Sequence, residues 1–189
     1  LCGMTTASSL VKVDLEGQIV DGDGRIDVDG FPLYGALHQA RPDVNCILHL
    51  HTTAGVAVST MEQGFLPMSQ TAMLVCRDLA YLDYAGIGEG DDDLVRELGN
   101  KNNLILRNHG TITVGRSVAE AFGRLHVLEC ACEIQVAALA SGQKLCGVTK
   151  EVVSSVGEMG NAYLSNGVLD DAWGNLVAIL DRDEPDYAT

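Results

Sequence analysis

Polar and apolar residues alternate along SSLVKVDLEGQIV toward Glu16-Gly17, which predicts a β-hairpin near the start of the chain. In FPLYGALHQARPD the apolar positions Leu33, Ala36, Leu37 and Ala40 recur at helical spacing. Pro32 suits a first helical turn and Pro42 stops the pattern after Arg41, so a helix is expected over residues 31–41. A short apolar strand, ILHLH, follows directly. TAGVAVSTMEQG then predicts a brief helix closed by Gly64. LAYLDYAG alternates as a strand does, and the acidic start of GDDDLVRELGNK suits a helix amino terminus. NLILRNHGTITVG predicts two strands, 104–107 and 111–114, broken at Asn108-His109-Gly110. Ser117 with Glu120 three residues on forms a capping box that opens the longest helix, which runs to Gly142. Two further helices are expected at 150–164 and 170–181. Strands and helices alternate with no internal repeat and no low-complexity linker, which predicts a layered α/β domain.

A chain of 189 residues that is 47% hydrophobic can bury a substantial core, and one domain spanning 1–189 is expected. It starts at Leu1 and enters strand-like sequence almost at once, so an upstream segment is expected to be missing. The formal charge of −14, with acidic clusters at 89–93 and 181–186, repels phosphate backbones and anionic bilayers and argues against nucleic acid or a membrane as partner. No apolar run approaches the roughly 20 residues a bilayer span needs, and no signal-peptide pattern opens the chain. A soluble, cytoplasmic protein is expected. The six cysteines lie in apolar contexts and form no CxxC pair, so they are expected to be buried thiols rather than zinc ligands or disulfides. Cys130 and Cys132 fall about 200° apart on one helix and cannot chelate together.

The strand ILHLH raises the main chemical question. Side chains alternate faces along a strand, so Ile47, His49 and His51 share one face while Cys46, Leu48 and Leu50 share the other. Two imidazoles side by side in an apolar setting are costly unless their nitrogens are satisfied, and a metal ion satisfies both. His109 is the best third donor: it follows the apolar LILRN strand and precedes Gly110, whose missing side chain permits a sharp turn and close approach. Three neutral imidazoles with an open fourth position form a catalytic rather than a structural zinc site. The alternative is that His109 is a hydrogen-bonded turn residue; the His49–His51 pair is harder to explain by packing alone. His38 and His126 fall on expected helices and are assigned packing or surface roles.

The segments ARPDVNCILHLHTTAGVAVSTMEQGFLPMSQTA, LILRNHGTITVG and ACEIQVAALASG together resemble the class II aldolase/adducin family, and TASSLVKVDLEG is most similar to the adducin head and its bacterial relatives. The resemblance implies a three-layer α/β/α sandwich around a mainly antiparallel central sheet and a homotetramer with sites at subunit boundaries. It also implies a zinc ion, or another divalent transition metal, on His49, His51 and His109. In enzymes of the family the metal chelates the hydroxy-carbonyl end of a sugar phosphate and stabilises the enediolate formed as a carbon–carbon bond breaks.

Several positions depart from the enzymes' pattern. The family's acid/base glutamate falls at Gly30, which cannot move a proton. Two phosphate-gripping serines fall at Val28 and Asp29, and an aspartate there repels phosphate. A second catalytic position falls at Thr71, whose hydroxyl is a poor general acid or base. Tyr84, with Asp83 and Glu89, is a further candidate proton donor. Two functions follow: a metal-dependent lyase or isomerase acting on a small hydroxy-carbonyl compound, or a non-catalytic, adducin-like oligomeric binding or scaffold module that keeps the pocket without the chemistry.

Overall fold

Two short strands, β1 (Lys12–Val13) and β2 (Ile19–Asp21), form the expected antiparallel hairpin. The Asp14 carboxylate accepts the backbone N–H groups of Glu16 and Gln18, and Gly17 takes a left-handed φ of +80°, so the turn sits where Glu16-Gly17 placed it. The computed structural model describes residues 5–26, 30–83 and 91–189.

The central sheet is built from β3 (Cys46–Leu50), β4 (Leu79–Leu82), β5 (Asn103–Leu106) and β6 (Gly110–Gly115) in the spatial order β3-β6-β5-β4. β6 runs antiparallel to both β3 and β5, and only β4 and β5 are parallel. Alternation along these strands sorts the core into two clusters. Ala80, Leu104, Leu106, Ile112 and Val114 face α1 (Phe31–Ala40) and α4 (Asp91–Leu98), where they meet Leu37, Leu94 and Leu98. Leu79 and Ile105 face the opposite way, into Val58, Val75, Leu128, Ala131, Cys132 and Leu164. Those residues come from α2 (Thr53–Ser59), α3 (Gln70–Val75), α5 (Val118–Ala140) and α6 (Lys150–Leu164). The result is the expected three-layer arrangement with a mainly antiparallel sheet. A last helix, α7 (Val168–Asp183), packs on α5 by setting Leu169 into the notch left by Gly123 and Trp173 against Phe122.

Three local expectations need correction. α2 ends at Ser59 and not at Gly64, which instead turns the chain with φ +67° next to the Tyr81 hydroxyl. α3 is a helix that the pattern did not announce, started by Ser69 Oγ accepting the Ala72 N–H. At the start of α5 only half of the capping box forms. Ser117 Oγ accepts the Glu120 N–H, but the Glu120 carboxylate turns to the Arg116 N–H and to the guanidinium groups of Arg116 and Arg124.

Arg124 is 1% exposed and bridges the carboxylates of Asp78 and Glu120 at 2.8 and 2.9 Å, tying α5 to the turn that leads into β4. Cys46, Cys76, Cys130, Cys132 and Cys146 are free thiols, but only Cys132 is buried as expected, and burial pushes it up to about 12; Cys46, Cys76 and Cys130 are half-buried and Cys146 is exposed.

Candidate metal centre

The register of β3 on β6 sets His49 opposite Ile112 and Leu50 opposite Thr111. Ile47 packs into the core on the α1/α4 side, so His49, two residues on, belongs to the same face. His51 stands just past the strand end, immediately before Thr52, the N-cap of α2. On the neighbouring strand pair, β5 turns into β6 through Arg107, Asn108 and His109. Asn108 adopts φ +58°, a left-handed conformation that asparagine tolerates better than most residues, and its N–H bonds Ser59 O at 3.2 Å. A Cβ on Gly110 would lie 2.5 Å from Leu50 O and 3.0 Å from His51 Cδ2. Only glycine lets the two strand ends close up this far, which is the close approach expected of it.

The three imidazoles therefore converge. His51 Nε2 lies 2.8 Å from His49 Nε2, which lies 3.2 Å from His109 Nε2, and the ring centroids are 4.5 to 5.0 Å apart. One nitrogen from each ring falls within 4.8 Å of the others. His49 Nδ1 is 3.0 Å from Thr111 O, and a carbonyl can only accept, so Nδ1 carries the proton and Nε2 turns its lone pair to the common centre. Burial lowers the pKa of His49, partly opposed by the Thr111 carbonyl, and burial together with the nearby His51 lowers that of His109. Neutral rings near pH 7 are the form that ligates metal. His49 and His109 are half-buried while His51 is exposed, so the cluster is open to small molecules on one side.

Donor lone pairs this close repel unless a proton or a cation lies between them. Bond lengths of about 2.0–2.1 Å around a tetrahedral zinc would put donors roughly 3.3 Å apart, and the two spacings from His49, 2.8 and 3.2 Å, need only slight expansion to reach that. The donor set thus fits a divalent transition metal, and the cluster could hold one.

Other sequence candidates fall elsewhere. Gly30 is the N-cap of α1, with φ −88°, and offers no side chain there. Thr71 sits half-buried in the first turn of α3, and no hydrogen bond joins it to the imidazoles among the described residues. Asp83 is exposed and pairs with Arg107 at 3.5 Å. Tyr84, Glu89, Val28 and Asp29 lie outside the described residues. His38 Nδ1 is 3.1 Å from Val44 O at the end of α1, and His126 lies beside Cys130 on α5, so neither joins the triad. Glu129 of α5 went unmarked in the sequence: its carboxylate accepts a 2.5 Å hydrogen bond from Thr52 Oγ1. Nothing local to residue 129 signals that contact, although Thr52 is legible as an N-cap.

Residues 2–136 match the family of class II aldolase and adducin N-terminal domains. A Caulobacter vibrioides protein inferred to be an aldolase class 2 protein is 40% identical over 199 residues, covering 98% of this chain and 74% of its own. Alpha-adducin of Mus musculus is 52% identical over 143 residues, covering 72% of this chain but 19% of the adducin. Among solved structures, an aldolase II superfamily protein from Pseudomonas syringae superposes with a TM-score of 0.93 at 40% identity, covering 99% of this chain and 77% of that one. The L-fuculose 1-phosphate aldolase of Glaciozyma antarctica shares the fold, with a TM-score of 0.81 at 24% identity over 98% of this chain and 73% of its own. The chain belongs to the class II aldolase and adducin N-terminal domain family.

Proposed function

We propose that His49, His51 and His109 hold a divalent transition metal, Zn2+ in the first instance. On this reading the protein is a class II aldolase-type lyase or isomerase acting on a small hydroxy-carbonyl compound of the sugar or sugar-phosphate kind. The observation that carries this is the convergence of three imidazole nitrogens at a partly open centre, with His49 held in the ligating tautomer by Thr111 O. A bound divalent ion supplies positive charge that offsets an oxyanion developing on the substrate. The chain's own residues supply the rest: the β3–β6 register sets His49, the Gly110 approach sets His51, and the Asn108 turn sets His109. Proton transfer needs a separate group. With no side chain at Gly30, Thr71 and Tyr84 remain the candidates, and a threonine hydroxyl barely ionises near neutrality.

A second reading, a non-catalytic adducin-like module, is favoured by Gly30 and by the 52% identity to alpha-adducin. In both readings the protein is a cytoplasmic homotetramer. No helix among the described residues is long and apolar enough to cross a membrane.

Elemental analysis of the purified protein comes first, followed by assay against sugar phosphates, hydroxy-aldehydes and pyruvate-type donors. Stoichiometric zinc lost in His49→Ala, with turnover that follows the metal, supports the enzyme. Metal without turnover supports the module, and a metal content unchanged in His49→Ala refutes the triad. Light scattering on a sizing column tests the tetramer.

A further inference from the structure

The three ligands are not anchored alike. His49 has its second ring nitrogen bound to Thr111 O, whereas His51 Nδ1 has no hydrogen-bond partner among the described residues. The orientation of His51 must therefore come from its backbone, and so from the residue that follows it. Thr52 is held at both ends of its hydroxyl. Its Oγ1 accepts the Gly55 N–H at 3.2 Å as the N-cap of α2 and donates to Glu129 Oε2 at 2.5 Å, although Glu129 is 77 residues away on α5.

The surroundings leave little slack for this contact. A Cβ on Gly55 would meet Thr52 Oγ1 at 2.6 Å, Thr111 Cγ2 at 3.1 Å and Glu129 Oε2 at 3.3 Å. The same Thr111 gives its carbonyl to His49, and its hydroxyl is buried without a hydrogen-bond partner among the described residues. Glu129, Thr52, Gly55 and Thr111 thus form one packed cluster at the junction of β3 and α2, next to His51. A carboxylate accepting from a hydroxyl makes a stronger bond than a neutral pair, so it resists the swing of residue 52 that would carry His51 off the common centre.

We propose that Glu129 is a positioning residue for the metal centre: through Thr52 it fixes the strand-to-helix junction that points His51 at the metal. This rests on the metal reading above. Outer partners of metal ligands commonly contribute ten- to a hundred-fold in affinity, which sets the size of the effect expected here.

The test uses Co2+ as probe on the metal-free full chain. Affinity and ligand-field absorption are read together, and thermal unfolding of the metal-free protein serves as the fold control. Glu129→Ala and Thr52→Val are each expected to weaken Co2+ binding about ten- to a hundred-fold and to alter the absorption bands. The double variant is expected to bind no worse than Thr52→Val alone, because that change already breaks the link to Glu129 along with the N-cap bond to Gly55. Glu129→Gln, whose amide oxygen can still accept from Thr52, is expected to recover most of the affinity. Wild-type affinity and bands in Glu129→Ala, additive losses in the double variant, or no recovery in Glu129→Gln would each overturn the proposal. Should Glu129→Ala not fold, Thr52→Val against Thr52→Ser decides: loss in the first with recovery in the second supports it, and equal binding overturns it. A wild-type protein that binds no Co2+ refutes the metal reading itself, a result distinct from every outcome above.

Discussion

Replacing Gly110 with alanine tests the strand closure on which the whole centre depends. The added Cβ would lie 2.5 Å from Leu50 O, a backbone atom of β3, so no side-chain rotation relieves the clash and the start of β6 must move away. Forcing extra volume into a packed site of this kind typically costs about 1–3 kcal/mol. For a domain of this size that is a fall in Tm of roughly 2–4 °C per kcal/mol. The same Cβ would lie 3.0 Å from His51 Cδ2, so the displaced strand end carries the ring with it. On the proposed metal reading, a donor moved off the common centre should weaken zinc binding at least about tenfold, and in saturating zinc that removes about 1.4 kcal/mol of metal-dependent stabilisation. Thermal unfolding with and without zinc reads both effects. Gly110→Ala is expected to lower the Tm of the metal-free protein and to shrink the further rise that zinc produces. Gly174→Ala inside α7, where a Cβ meets nothing within 4 Å, serves as control: it should not lower the Tm, since alanine favours a helix interior over glycine, and should leave the zinc-dependent rise intact. If Gly110→Ala keeps the wild-type Tm and the full zinc shift, the close approach does not shape the centre.

Arg124→Met removes a guanidinium that is 1% exposed and leaves the carboxylates of Asp78 and Glu120 facing each other; about 3–5 kcal/mol should be lost in urea unfolding, and a loss below about 1 kcal/mol contradicts the role given to this network. Burial disfavours the ionised form of Glu120, but hydrogen bonds from Arg124 and Arg116 outweigh it and hold its pKa below the ordinary value. A depressed carboxylate stabilises the fold above its unfolded pKa and loses that contribution as pH falls through its folded one, so the urea-midpoint gap between wild type and Glu120→Gln should narrow below about pH 4.3; a gap that widens in acid refutes the assignment. Ser117→Ala deletes the N-cap of α5 and should cost about 0.5–2 kcal/mol by the same measurement, with no change in metal content.

The fold was legible wherever a local signal matched the tertiary outcome. α1 carries Pro32 in its first turn, α5 carries the Ser117 cap, and α6 occupies the expected residues 150–164. α3 was not legible because six residues are too few to show a helical period, and so short a helix depends on packing against α5 and α6. The half-formed capping box has a similar origin: Glu120 obeys the arginines that the fold brings to it instead of its own helix end. At the candidate centre, period-two alternation placed His49 and His51 on one face, and the Asn-His-Gly turn marked His109. Glu129 escaped notice because its partner is 77 residues distant and no helical or strand period encodes that pairing.

The parts of the centre differ in what holds them. The imidazoles are set by the β3–β6 ladder and by the turn at Asn108, features that the core enforces whatever chemistry follows. The position at which the resemblance expects an acid/base glutamate is Gly30, an N-cap with ordinary helical dihedrals, where most side chains could be exchanged without disturbing the sheet. A chain of this family can therefore lose its proton carrier and still present three converged imidazoles. Losing such a group typically costs 10² to 10⁴ in rate, or about 3–5 kcal/mol of barrier, while leaving metal affinity untouched. Metal content and turnover are thus independent readouts here: the first tests the ladder and the turn, and only the second separates an enzyme from a binding module built on the same sheet.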